Sequence, residues 1–214
     1  MLKTERYTVM NMENAIRGAR NPMNSWAKMD SYYVTDEASG DRRFVLGEND
    51  LGLAVRLARA GSDHRKFLRQ IFVSVDITAP LYWWKEFDTY KVGTVANSCS
   101  TMHKIHSKPF ERADFSCDRL DEKGLELLDT VIAFLEDRRQ EFLQDQTNRQ
   151  PWHDMIQLLP TSYNQMRTVT LNYENLISIY YARRSHKLAE WHTLCDWIMS
   201  LPYADKLIAV KEKE

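Results

Sequence analysis

Within IFVSVDI, residues 71–77, apolar Val73, Val75 and Ile77 alternate with Phe72, Ser74 and Asp76. A period of two sends the first set to one face of an extended chain and the second to the other, so the segment predicts a strand with one buried face. The adjoining Ala79-Pro80 narrows the choice further. Pro80 lacks a backbone N–H, and its fixed φ suits the first turn of a helix, so a helix is expected directly after the strand, with Pro80 at its first position. That helix would carry Trp83, Phe87 and Tyr90 on one stripe beside the charged Lys85, Glu86, Asp88 and Lys91, and Gly93 is placed to stop it. A strand running straight into an amphipathic helix requires layers of both kinds in one core.

Elsewhere the pattern is mainly helical. YTVM (7–10) is a short strand candidate, and Asn11 can cap a helix over MENAIRGAR before the Asn21-Pro22 break. Residues 22–47 look irregular, with Trp26, Tyr32 and Tyr33 on one side of the turn-rich SGDRR and FVL (44–46) on the other. GENDLGLAVRLARAG then offers Asn49 or Asp50 as a helix N-cap and Gly61 as its end. Beyond a polar loop containing Pro109, residues 121–144 form an amphipathic pattern with Leu128, Ile132, Leu135 and Phe142 on one side. A short helix over WHDMIQLL is expected between Pro151 and Pro160. The polar TSYNQ is expected to start a helix through TVTLNYENLISIYYARR, although the β-branched run Thr168–Thr170 resists that start, and KLAEWHTLCDWIMSL gives a last helix before Pro202. With no internal repeat, the expectation is one mainly helical α+β domain over residues 1–214, with a small sheet.

Charge and cysteine usage exclude several classes. Formal net charge is -1, from 29 basic and 30 acidic residues, so no overall field draws the protein to a nucleic acid polymer or an anionic membrane. Cys99, Cys117 and Cys195 lie far apart with no paired spacing, which argues for reduced thiols rather than a disulfide framework or structural zinc. Charges are scattered through the first thirty residues and no long apolar span occurs, so the expected location is the cytoplasm.

Short chemical motifs are absent: no Gly-rich phosphate loop, no H-E-x-x-H pair and no G-x-S-x-G elbow. Two charged clusters stand out, AGSDHRKFLRQ (60–70) and ARRSHKLAEWH (182–192). On composition alone each reads as solvated surface, with Trp191 in the core, and an anion site is the sharper alternative.

The order of these parts along the chain carries more than their composition. A basic turn with His64, a strand, Ala79-Pro80, an aromatic helix, then Asn172 in N-Y-E-N-L, Arg183-Arg184 and Ala189-Glu190-Trp191 occur in sequence. In this the chain resembles the flavin-dependent thymidylate synthases. That family has a G-H-x-S-x-x-E-H type segment before a strand, then A-P-x-F-x-x-R-Q leading into R-H-R-x-x-S-x-N-E-x-S-x-R-Y, and later an asparagine, L-R and A-Q-W. Here Tyr82 stands at the aromatic position, Lys85-Glu86 at R-Q, Lys66 at the early serine and Arg69-Gln70 at E-H. Aligned without gaps, Thr89-Tyr90-Lys91 stands at R-H-R, Thr94 at the first serine, Ala96-Asn97 at N-E, Cys99 at the second serine and Thr101-Met102 at R-Y; a one-residue insertion instead matches Asn97 and Ser100 to N-x-x-S.

The resemblance spans residues 60–105 and 168–200. It implies an α+β flavin-dependent thymidylate synthase fold, a homotetramer with sites shared between subunits, and binding of FAD and deoxyuridine monophosphate. The implied reaction moves a one-carbon unit from methylenetetrahydrofolate to the pyrimidine ring, with NADPH as reductant. By position, His64, Lys66, Arg69, Tyr90, Lys91 and Asn172 would contact the cofactor, and Tyr90 or Trp84 would stack on its ring system. Lys85, Glu86, Thr94, Ser100 and the Arg183-Arg184 pair would contact the nucleotide; no catalytic residue and no metal are implied. Since one cation stands where the family has two and a histidine, flavin binding is expected to be loose. The competing readings are a relative that keeps the fold but binds another nucleotide or a protein partner without this chemistry, and a small helical interaction protein.

Overall fold

The alternation at residues 71–77 forms strand β4, Phe72–Pro80, in the computed structural model, which describes residues 1–210. Val73, Val75, Ile77 and Ala79 are buried along one face, as a period of two requires. Three further strands join it: β1 (Lys3–Met10), β5 (Val95–Ser98) and β6 (Asn164–Asn172) complete a sheet in the order β1-β4-β6-β5. The chain divides into two compact units, and each strand of this sheet contributes residues to both.

Unit 1 comprises Met1–Glu5, Asp76–Thr89 and Ala96–Thr168. Helix α3, Leu81–Phe87, starts straight after β4, with Pro80 at the N-cap rather than the first helical position. It closes before Tyr90, because the backbone N–H of Asp88 and the Thr89 hydroxyl already turn back to the carbonyls of Trp84 and Glu86. Tyr90 is therefore not on the helical stripe, and Gly93 sits in the following loop at φ 77° instead of terminating the helix. Trp83, Trp84 and Phe87 are buried within the chain, at 0%, 1% and 3% exposure, so they leave no aromatic surplus for another subunit to cover. Helices α4 (Glu122–Gln144) and α5 (Gln150–Leu158) pack on a core of Ile105, Phe110, Phe115, Leu128, Leu135, Phe142 and Met155. Asp121 caps α4 by accepting from the Gly124 N–H.

Unit 2 comprises Arg6–Val75, Tyr90–Val95 and the chain from Val169 on. It holds α1 (Met12–Ala19), α2 (Glu48–Arg59), α6 (Tyr173–Arg183), α7 (Ala189–Met199) and α8 (Ala204–Leu207). Residues 22–47 are not wholly irregular: β2 (Tyr32–Thr35) and β3 (Arg42–Val45) pair antiparallel, with Tyr32 opposite Val45 and Thr35 opposite Arg42. The N-cap of α2 is Gly47, not Asn49 or Asp50. The capping carboxylate comes from Asp30, which accepts from the N–H groups of Asn49 at 2.8 Å and Asp50 at 3.0 Å. Asp50 is itself buried and accepts from Arg20 Nε and Ser31 Oγ, both at 2.6 Å. The expected helix start near TSYNQ is also corrected: Asn164–Asn172 is strand β6, and α6 begins only at Tyr173. The β-branched run Thr168–Thr170 favours the extended chain, and Val169 and Leu171 bury one side of it.

Candidate functional site

Strand β6 becomes helix α6 at Asn172, whose side-chain oxygen accepts from the Asn175 N–H at 3.0 Å while Asn175 Oδ1 accepts from the Asn172 N–H at 3.1 Å. This reciprocal cap satisfies two N–H groups that a helix start otherwise leaves without partners. Asn175 also donates through Nδ2 to the Val92 carbonyl at 2.7 Å, which holds the loop around Val92 against the start of α6. Gly93 belongs to the same contact: a Cβ there would meet Asn172 Nδ2 and Asn175 Oδ1 at 3.1 Å, and its φ of 77° suits glycine. Glu174, in the first turn of α6, accepts from Arg65 Nε at 3.0 and 3.1 Å. Arg65 is buried, so its charge serves this pair.

The other end of α6 gathers the aromatic and cationic groups. Arg183 Nε donates to the Tyr90 hydroxyl at 2.9 Å, and its guanidinium carbon lies 4.5 Å from the Trp191 ring centroid. Tyr90 meets Trp191 edge-on at 6.1 Å, and Thr94 donates its hydroxyl to the Tyr90 carbonyl. A guanidinium stacked on an indole and bonded through Nε has its plane fixed, which orients its remaining N–H groups. Arg184 is exposed and lies over Tyr181 at 4.9 Å. His186 stands 6.2 Å from Trp191, and its Nδ1 accepts from the Leu188 N–H at 3.2 Å.

Of the expected site residues, Tyr90, Thr94 and Arg183 thus gather at one end of α6 within unit 2, and Asn172 caps its other end. Asn172 uses its side-chain oxygen in the helix cap. The side chains of His64, Lys66 and Lys91 are exposed and have no polar partner among the described residues, while Arg69 donates to the Ser62 carbonyl at 3.4 Å. Unit 1 carries Lys85, exposed, and Glu86, half-buried, on α3. Ser100 uses its hydroxyl within its own turn, accepting from the N–H groups of Met102 and His103. Trp84 is not available for stacking on a cofactor: it is buried, and Arg167 lies 4.2 Å over its ring. Asn175 was not singled out by the sequence, although the Asn172-x-x-Asn175 spacing is the capping-box pattern. Among the described residues no cluster of side chains suits a metal ion, and no helix is long and apolar enough to cross a membrane.

In kind, the donors suit a phosphate-bearing ligand: guanidinium groups at Arg183 and Arg184, an ammonium at Lys91, and exposed His64 and Lys66. No protein-family model and no curated protein sequence matches the chain. Solved structures do. The chain is similar to thymidylate synthase X from Helicobacter pylori with FAD and dUMP, at 17% identity and TM-score 0.66, covering 97% of this chain and 96% of that one. A second structure of the Helicobacter pylori enzyme complexed with FAD and dUMP gives 17% identity and TM-score 0.66, with 99% of each chain covered. The UMP/dUMP methylase PolB from Streptomyces cacaoi, bound with 5-Br dUMP, gives 13% identity and TM-score 0.60, covering 96% of this chain and 91% of that one. The chain therefore has the flavin-dependent thymidylate synthase fold, as the order of its motifs implied.

Proposed function

We propose that the protein binds a pyrimidine deoxynucleotide and FAD and transfers a one-carbon unit to the pyrimidine ring. The observation that carries this reading is the fold, which matches over nearly the whole chain two structures holding FAD and dUMP and a third of a UMP/dUMP methylase. Bound flavin would supply the carrier chemistry for a one-carbon unit from methylenetetrahydrofolate, with NADPH as reductant. The chain's own residues bind and orient. Arg183, fixed by Tyr90 and Trp191, and the exposed Arg184 neutralise the nucleotide phosphate, with Lys85 and Glu86 as further nucleotide contacts. His64, Lys66, Arg69 and Lys91 are assigned to the cofactor diphosphate. Assembly as a homotetramer with shared sites belongs to the same proposal, with residues 1–214 acting as one functional domain.

One observation favours a second reading, nucleotide binding without turnover. Tyr90, standing where the family has the histidine of R-H-R, accepts from Arg183 Nε at its hydroxyl oxygen, and only Lys91 supplies charge in that triplet. Titrating the protein with FAD while following flavin fluorescence separates the two. Saturable binding supports the flavoenzyme. Its absence at high micromolar FAD, with deoxyuridine monophosphate still bound in calorimetry, leaves the nucleotide-binding reading alone.

A further inference from the structure

Helix α4 turns Leu128, Leu135 and Phe142 toward the core of unit 1, and a second apolar line runs along its outer side. Leu127 and Phe134 are seven residues apart, which puts them on one stripe, and they are 66% and 40% exposed. Val131 stands between them, half-buried. Leu120, 44% exposed, continues the line before the helix: a Cβ on Gly124 would meet its Cβ at 3.2 Å. Single apolar side chains on a surface are ordinary, but these form a continuous seam about 20 Å long. None of the expected cofactor or nucleotide contacts lies on this helix.

One polar edge of the seam holds Lys123, Thr130, Asp137 and Gln144, again at intervals of seven. Lys123 is exposed and has no ion-pair partner among the described residues. Further along, Asp137, Arg138 and Glu141 form one network with a net negative charge. Glu126, one residue from Leu127 and so about 100° round the helix, lies off the seam. The edge therefore changes sign along its length. Such an edge complements a copy of itself only when the two helices run in opposite directions; a parallel pair would set Lys123 on Lys123 and Asp137 on Asp137.

We propose that α4 packs antiparallel against α4 of a second copy of this chain, about a two-fold axis beside Thr130. Leu127 of each copy then meets Phe134 of the other in two equivalent layers, as a self-complementary interface requires. Between the layers Val131 meets Val131, and on the polar edge Lys123 faces Asp137 at both ends. Gly124 leaves room for Arg138, which lies 5.5 Å over the Phe134 ring. The contact rests on the assembly of several chains proposed above and assigns one of its interfaces.

Cysteine crosslinking reads both the contact and its direction. Thr130→Cys sets one thiol from each copy beside the axis, whereas Gln144→Cys, on the same edge, sets them about 40 Å apart in an antiparallel pair and side by side in a parallel one. With a short bis-maleimide, Thr130→Cys gives a crosslinked dimer above the background of the parent, whose Cys99 is exposed, and Gln144→Cys does not. Phe134→Glu abolishes the Thr130→Cys product. Lys123→Asp lowers it roughly fivefold, because two exposed ion pairs become like-charge contacts, and Lys123→Asp/Asp137→Lys restores it. Should Phe134→Glu alter the circular dichroism spectrum, Leu127→Glu, at the more exposed position, takes its place. No product from Thr130→Cys, an equal product from Gln144→Cys, a product undiminished by the glutamate variant, or no recovery in the double charge exchange overturns the proposal. A monomeric mass in light scattering leaves the seam to a different protein and overturns it as well. Light scattering also separates this interface from the assembly reading: a tetramer without the Thr130→Cys product removes only the α4 contact, and a dimer with the product removes only the tetramer.

Discussion

Replacing Asp50 by asparagine removes one negative charge from the interior of unit 2 and leaves the Arg20 guanidinium behind. Asp50 is 0% exposed and Arg20 4%, with Nε and a terminal nitrogen of Arg20 both 2.6 Å from Oδ1. The second oxygen accepts from Ser31 Oγ and from the N–H groups of Asp30 and Ser31 at 2.6–3.1 Å. Burial opposes the Asp50 charge, but the Ser31 and Arg20 hydrogen bonds outweigh it and hold the carboxyl below its ordinary value. Breaking such a pair from one side leaves a buried charge uncompensated, at a cost of about 3–5 kcal/mol. Against a total stability of about 5–15 kcal/mol, that is a large fraction. Urea unfolding followed by circular dichroism reads it: with a slope of about 1–3 kcal/mol per molar, the midpoint falls by at least about 1 M. The double variant Arg20→Met/Asp50→Asn regains part of the loss, since it removes the uncompensated guanidinium while the asparagine amide oxygen still accepts from the Asp30 and Ser31 N–H groups. A loss under about 0.5 kcal/mol for Asp50→Asn, the range of ordinary surface substitutions, refutes the reasoning.

Gly47→Ala drives a methyl group into Asp30, whose carboxylate caps α2, and thermal melting is expected to show a loss of about 1–3 kcal/mol. Glu136 is held down to about 2 by the Arg139 hydrogen bond, against an ordinary value of 4.5, so its contribution is complete above pH 4.5 and is lost as pH falls toward 2. After allowance for its 29% exposure, that contribution is about 1–2 kcal/mol, and acid unfolding of Glu136→Gln should lack it. Arg183→Ala and Arg184→Ala are each expected to weaken deoxyuridine monophosphate binding by about 1.5–3 kcal/mol in calorimetry, and unchanged affinity in both removes the phosphate role.

Elements with a long, unbroken period were legible in the sequence: β4 alternates along its whole length, and α4 keeps Leu128, Leu135 and Phe142 buried on one side. The hairpin was not, because all four residues of β2 are exposed and no alternation of burial marks it. The α2 cap was misplaced because its carboxylate, Asp30, lies 19–20 residues upstream, outside any local capping rule. In the candidate site, residue types were readable but pairings were not. Arg183 and Tyr90 are 93 residues apart, and the pattern offered Tyr90 to a helical stripe and Arg183 to a phosphate without showing that they meet.

The interleaving of the two units sets a timetable for synthesis. Unit 1 has its last residue at Thr168, whereas unit 2 joins Arg6–Val75 to a segment that starts at Val169. On a ribosome adding about 5–20 residues per second, the first part of unit 2 waits roughly 5–20 s for helices α6 and α7 to emerge. Throughout that interval the apolar faces of α1 and α2 lack the later half of their own core, which leaves apolar surface exposed on the nascent chain. Truncation after Thr168 would prolong the wait indefinitely, so a fragment that retains all of unit 1 still carries residues 6–75 without their completing partners.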